Sequence, residues 1–229
     1  GALLAIPISV ACAVAGIVVG VIGQTGIGLQ FTESVVSLSS GYLWLGLILV
    51  AVAALVLGMG LPATASYIVL SVMTGPALQE LGLALITAHM IIFWLAQTSN
   101  VTPPIALAAF AGAGIAGAPP MKTAIQAFKL SNALFVIPLL MAYTPLLLYG
   151  DRGWLEVGLA GVNALSVIVV LAVILERFAF AKMEAIEIFF AAVCLVLLIL
   201  PHDWMKAIGI SALVVLLIVN YKKSRTAST

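Results

Sequence analysis

Along the chain, apolar runs alternate with short polar joints, and the runs come in two lengths. Residues 3–23 form a run of membrane-spanning length, with Ala11, Ala15 and Gly16 spaced for close helix packing. Residues 23–40 are mixed: Gly26, Gly28, Thr32, Glu33 and Ser34 predict a turn followed by an interfacial stretch. Tyr42 and Trp44 then mark a membrane boundary, where amphipathic rings settle. Further on, residues 119–129 read as a short amphipathic connector. Residues 130–149, 154–175, 186–200 and 204–221 read as four apolar spans with charged joints, and residues 224–229 as a polar tail expected to fray.

Between these lie four runs too short to cross a bilayer alone. Residues 43–57 are apolar but stop at Gly58-Met59-Gly60-Leu61-Pro62-Ala63-Thr64-Ala65-Ser66, and a second short run covers 67–78 before Gln79-Glu80. Two short arms around a Gly/Pro break predict a re-entrant helical hairpin over about 42–80. Residues 86–97 and 105–115 flank Thr98-Ser99-Asn100-Val101-Thr102-Pro103-Pro104 in the same way, predicting a discontinuous helix over about 86–116. Pro103 and Pro104 supply no N–H donor but fit the start of a new half-helix. Backbone left unpaired at membrane depth survives only where protein buries it or it lines a cavity, so both breaks belong inside the protein.

Charge sharpens this picture. The sequence is 64% hydrophobic and 7% charged, too few charges to cover a soluble fold, so the bilayer is its solvent. No charge falls between Glu33 and Glu80 or between Gly82 and Met121. A net charge of +1 points to no nucleic-acid partner. If the Lys122/Lys129 connector is cytoplasmic, alternation places Arg177, Lys182, Lys222, Lys223 and Arg225 there too, leaving only Arg152 and Lys206 outside, as the positive-inside rule expects. That orientation puts the C-terminal tail in the cytoplasm and the open end of the hairpin on the outer face. The apolar start lacks the basic leading region and cleavage site of a signal peptide and reads as part of a longer polytopic chain. Cys12 and Cys194 sit in apolar runs as small core residues, and no ligand spacing suggests a transition metal or a covalently bound cofactor.

The breaks carry the candidate chemistry. Free N–H groups at a half-helix N-terminus favour an anion, while unwound carbonyls and hydroxyls ligate a cation. Thr64 and Ser66 in the first break, and Thr98, Ser99, Asn100 and Thr102 in the second, are hard oxygen donors suited to an alkali cation. The plainer alternative is that these hydroxyls only repair backbone bonds lost at kinks. His89 has no acidic partner nearby except Glu80 and reads as a packed or interfacial histidine; Trp94 reads as core. Gly58–Pro62 is not a phosphate loop, lacking the Lys-Ser/Thr ending and the preceding strand. Glu176, Arg177, Glu184 and Glu187 read as solvated joints.

At both breaks the sequence resembles a known family. "GMGLPATASYIVL", ending at Leu70, and "NVTPPIALAAFAGAGIAGAPPMKTAIQAFKL", beginning at Asn100, look like the large permease of tripartite ATP-independent periplasmic (TRAP) transporters. The match is to the fused permease that works with TAXI-class binding proteins. Gly58, Thr64, Thr102, Pro103 and Pro104 are the motif positions carried over, with Gly60 and Pro62 as structural members of the first motif. Non-fused large permeases usually have Asp where this chain has Pro62. The resemblance implies one inverted repeat of an elevator-type transporter over residues 1–150, followed by a transmembrane extension over 151–229. It further implies sodium as coupling ion, an organic-acid substrate, a soluble periplasmic binding protein of the TAXI type and an N-terminal permease half, in a bacterial or archaeal inner membrane. The expected site has Thr64, Ser66, Ser99 and Asn100 on the substrate, with Gly58, Leu61, Thr64, Thr98 and Thr102 on sodium. Two rival readings are an intramembrane hydrolase using His89 with Ser66 or Ser99, which lacks a Gly-x-Ser-x-Gly nucleophile motif, and a non-transporting membrane scaffold.

Overall fold

The computed structural model describes residues 2–59, 61–104, 106–147, 153–200 and 202–226. Among them the secondary structure is helical apart from one isolated bridge between Phe178 and Lys182. The chain divides into two units, Gly1–Tyr143 and Thr144–Thr229.

The first unit opens with α1 (Ala2–Thr25) and α2 (Ile27–Leu38). Residues Cys12–Thr25 and Ile27–Leu38 are set at 75° across Gly26, whose φ of 70° lies in the left-handed region that glycine adopts without penalty. The stretch expected to be a turn and an interfacial segment is therefore mostly helix. Its polar residues do not interrupt it, because Thr32 and Ser34 donate their hydroxyls to Gly28 and Gln30 carbonyls one turn back.

Helices α3 (Leu43–Leu57) and α4 (Ala63–Glu80) fold back on one another. Near the start of α3, a Cβ on Gly46 would run into Leu81 Cδ1, just beyond the end of α4; at the end of α3, Gly58 lies against Ser66 in the first turns of α4. Both contacts hold only if the helices are antiparallel, which makes a hairpin with its tip at 58–62. The tip is shorter than the sequence pattern suggests. Pro62, with ψ of 150°, caps α4, and the Ser66 N–H already donates to the Pro62 carbonyl at 2.9 Å. The second arm is therefore 18 residues, about 27 Å long, and not the short run of 67–78. Ser71 and Thr74 donate their hydroxyls to Ile68 and Leu70 within α4, so they do not break it. Pro76 lies inside α4 and supplies no donor for the Val72 carbonyl. Helix α2 approaches there through Gly28, where a Cβ would sit 3.3 Å from Ile22 Cγ2 and 3.7 Å from that carbonyl oxygen.

Helix α5 (Leu85–Thr98) packs against α3 and α4, and α6 (Leu107–Ala116) follows after the second break. Leu47, Val50 and Ala54 of α3, Leu70 and Ala77 of α4 and Ile91, Ile92 and Leu95 of α5 are buried. Ala15 and Ile22 of α1 pack with Ala65, Val69 and Met73 of α4, with Leu57 and Leu61 beside them. Helices α7 (Pro120–Leu130) and α8 (Ala133–Tyr143) are separated only by a turn at Ser131 and Asn132. Together they form one stretch of 24 residues, apolar enough to cross a membrane. The expected connector is thus continuous with the expected span, which ends as a helix at Tyr143 and not at 149. Helix α8 packs against α5.

The second unit contains α9 (Trp154–Glu176), α10 (Ala185–Ile199) and α11 (Asp203–Thr226). Helix α11 continues through Thr226, so residues 224–226 are not frayed, and 227–229 lie outside the described residues. Gly209 admits Leu198, whose Cδ2 would be 3.1 Å from an added Cβ, and Asn163 Nδ2 donates to the Leu198 carbonyl at 3.3 Å. The joint between α9 and α10 is tied to α11: Asn220 Oδ1 accepts the N–H groups of Phe180 and Ala181, and its Nδ2 donates to Glu187. Glu184 and Glu187 form a capping box on α10 and both pair with Lys223, at 2.7 and 3.3 Å. They are parts of a built joint and not simply solvated.

Among the described residues, Pro120–Tyr143, Trp154–Glu176 and Asp203–Arg225 are each long and apolar enough to cross a membrane, and the bent α1–α2 pair adds a fourth candidate. Large apolar side chains such as Val52, Val56, Leu159 and Leu165 face outward, as lipid contact requires. The architecture is a polytopic helical bundle. Asn220 is fully buried and satisfies two backbone donors. Replacing it with Leu is expected to destabilise the protein by about 2–4 kcal/mol. The check is a lowered Tm of the purified protein in detergent, beside an unchanged Tm for Ser211→Ala, whose exposed hydroxyl only bonds its own helix.

Candidate functional site

The two breaks meet at Gly58. A Cβ there would lie 2.6 Å from the Ala54 carbonyl oxygen, 2.7 Å from Ser99 Oγ and 3.0 Å from Ser66 Oγ. Three oxygens, one from each of the elements involved, thus surround the space a side chain would fill. Ser66 is 1% exposed, and its Oγ has no hydrogen-bond partner. Ser99 is buried as well, and its hydroxyl reaches the Ala96 carbonyl only at 3.4 Å. An unspent buried hydroxyl costs free energy unless something bonds it, which singles out this junction.

The second break is held by its own side chains. Thr98 Oγ donates to the Leu95 carbonyl at 2.7 Å, and Thr102 Oγ to the Thr98 carbonyl at 2.6 Å. The Asn100 carbonyl accepts the Ala108 N–H at 3.1 Å, which folds the start of α6 back over the loop. Ala106, fully buried with φ of 31°, makes the turn into α6 and packs with Ala109 and Ala124. These hydroxyls do repair backbone bonds, yet a hydroxyl that donates to a carbonyl keeps its acceptor lone pairs.

The remaining expected site residues are dispersed around this junction. Thr64 is exposed and lines a groove between α4 and α5, apart from the buried Ser66. Leu61 packs its side chain on the α1–α4 cluster and donates its N–H to the Gly58 carbonyl at 3.3 Å. Pro103 and Pro104 lie in the second loop, and Gly60 lies outside the described residues. The groove has a volume of about 490 Å³ and is bordered by Thr64, Tyr67, His89, Met90, Phe93 and Gln97, among others. His89 Nδ1 and Tyr67 Oη share a hydrogen bond of 3.0 Å, and Phe93 packs edge-on against Tyr67. Tyr67, His89 and Gln97 were not legible as a site from the break motifs alone. Their helical spacing does carry the signal: 64 and 67 share a face of α4, and 89, 93 and 97 share a face of α5.

A second cavity, of about 440 Å³, lies in the other unit among Glu156, Asn163, Asp203 and Lys206. Lys206 and Asp203 already pair there at 3.1 Å, and none of the helices bordering it is broken. The candidate site is the junction and the groove beside it.

A hairpin tip that meets a helix break is the arrangement in which membrane transporters with discontinuous helices hold their sites. The model of one family, described as tripartite ATP-independent periplasmic transporter, DctM component, matches residues 1–147, and the chain belongs to that family of transporter permeases. No curated protein and no solved structure matches the chain.

Gly58→Ala is expected to destabilise the junction by about 1–3 kcal/mol, because the new methyl has no room that its neighbours can yield cheaply. Thermal unfolding checks this, and Gly112→Ala, where nothing lies within 4 Å of the added Cβ, should cause no loss.

Proposed function

We propose that the chain is part of a sodium-coupled permease that imports an organic acid delivered by a periplasmic binding protein. The single observation that carries the sodium reading is the approach of three oxygens to Gly58. Ser66 Oγ, Ser99 Oγ and the Ala54 carbonyl converge there, and one of them has no partner. Such donors fit a hard alkali cation and not a transition metal. Gly58 and Leu61 backbone, with Thr98 and Thr102, would complete the set drawn from the two motifs; Ser66 and Ser99, expected on the substrate, join the cation set instead, and Thr64, exposed to the groove, is left to the substrate. A cation held at the junction would fasten the hairpin tip to the second break. The α4 N-terminus, with N–H groups not spent within the helix, would then offer a carboxylate a favourable seat beside Thr64.

In this reading residues 1–150 are the second inverted repeat of an elevator-type permease and 151–229 a transmembrane extension of the fused type. The partners are an N-terminal half and a TAXI-type binding protein. The surplus of Lys and Arg on one set of joints supports a cytoplasmic C-terminus in a bacterial or archaeal inner membrane. Neither rival reading gains support: the hydrogen bond described for His89 goes to Tyr67 and not to a serine, and the family is one of transporters.

The test is uptake by reconstituted full-length permease with its binding protein, external sodium varied at fixed substrate. Sodium is expected to raise substrate affinity, and substrate to raise sodium affinity by the same factor, with couplings of roughly 5–150-fold. Thr102→Val keeps the shape and removes the hydroxyl, so it should shift the sodium curve to higher concentration, while Leu107→Val leaves it unmoved. Transport indifferent to sodium, or an unshifted curve for Thr102→Val, would overturn the cation assignment.

A further inference from the structure

The corner where α9 gives way to α10 has no role in transport as read above. Helices α9 and α11 are each long and apolar enough to cross a membrane, and both end at this corner, which sets it at a bilayer surface. The reversal is tight. Arg177 turns the chain with φ of 52°, the Met183 N–H donates to the Arg177 carbonyl at 3.0 Å, and Phe178 bridges to Lys182. Asn220 fastens the turn to α11 by accepting the Phe180 and Ala181 N–H groups. Exposure then alternates along it: Phe178, Phe180 and Lys182 are exposed, Ala179 and Ala181 are half-buried, and Met183 is buried.

Two phenyl rings held out into water would cost free energy, whereas at a bilayer surface aromatic rings settle in the interfacial layer. Lipid is therefore the phase beside the turn, and charge defines which lipid. The corner gathers Arg177, Lys182, Lys222, Lys223 and Arg225 against Glu176, Glu184 and Glu187, five basic side chains to three acidic. Lys223 pairs with Glu184 and Glu187, and Arg225 lies 5.1 Å over the Tyr221 ring, which itself meets Phe180 edge-on. Among the described residues, the Arg177 and Lys182 side chains have no hydrogen bond or ion pair, and these two flank the exposed rings. We infer that this corner is a built seat for an anionic phospholipid: Phe178 and Phe180 enter the interface while Arg177 and Lys182 hold the lipid phosphate. Basic residues at a membrane surface attract anionic headgroups, and arginine can grip a phosphate through two N–H groups at once. The positive-inside bias accounts for basic residues at this end, but not for rings held between them on a turn that a later helix ties down.

Dioleoyl phosphatidylglycerol and dioleoyl phosphatidylcholine share their acyl chains and differ in headgroup charge, which makes them the probes. Each is titrated onto the detergent-purified full permease, and retained lipid is counted by native mass spectrometry. Wild-type protein is expected to bind phosphatidylglycerol more tightly, with the preference shrinking as salt screens the charges. Arg177→Gln and Lys182→Gln should each lower phosphatidylglycerol affinity about fivefold, the effect of one basic residue beside an anionic surface, and leave phosphatidylcholine affinity unchanged. Lys182→Arg should keep the preference. Phe178→Ala combined with Phe180→Ala should weaken both lipids alike, because the rings serve either headgroup. Lys206→Gln, near the other end of α11, should change neither affinity. Equal affinity for the two lipids in the wild type, a preference that survives Arg177→Gln combined with Lys182→Gln, or the same loss from Lys206→Gln, would overturn the inference. Displacement of phosphatidylglycerol by excess inorganic phosphate would assign the corner to soluble anions and overturn it too.

Discussion

A peptide group inside a bilayer has no water to bond, and this constraint governs the rest of the molecule. Each interruption of a helix frees N–H and C=O groups that protein must cover. The chain meets the requirement by bringing its two interruptions to one place, so that each helps to bury the other. That is possible because Gly58 carries no side chain: Ser66, Ser99 and the Ala54 carbonyl close around the vacant position. Elsewhere the same demand is met locally, by threonine and serine hydroxyls turned back on carbonyls of their own segments. The contrast isolates Ser66, whose buried hydroxyl has no hydrogen-bond partner.

Much of this was legible from residue pattern. The run lengths and the Gly/Pro interruptions gave the helical bundle and both breaks, because spanning length and the missing N–H of proline are properties of sequence alone. The ends of elements were less legible. Residues 63–66 look like a continuation of the loop, yet Pro62 starts a helix as readily as it ends one, and Thr64 and Ser66 fall into α4. Residues 27–38 look polar enough for a surface stretch, but their hydroxyls bond within the helix, and Gly26 sets a bend where a turn was expected.

At the site, the pattern gave the hydroxyls but not their division of labour. Ser66 and Ser99 face the junction, Thr64 faces the groove, and Thr98 and Thr102 hold the loop; sequence adjacency hides that separation, because successive residues on a helix point 100° apart. His89 reads as packed or interfacial because its partner, Tyr67, lies 22 residues back along the chain and a tyrosine there draws no attention. The joint at Glu184 and Glu187 was hidden for the same reason: it depends on Asn220 and Lys223, supplied by a later helix.

That last dependence has a consequence for biosynthesis. The N–H groups of Phe180 and Ala181 wait for Asn220, some 40 residues downstream. At ordinary synthesis rates of about 5–20 residues per second, the gap is on the order of 2–8 s. During that interval the joint has only the Phe178–Lys182 bridge and the α10 capping box to hold it. Until then the corner between α9 and α10 lacks the acceptor that α11 brings. A chain that ends before Asn220 would leave those two amides without this acceptor, so the last helix of the unit closes the corner that the first two open.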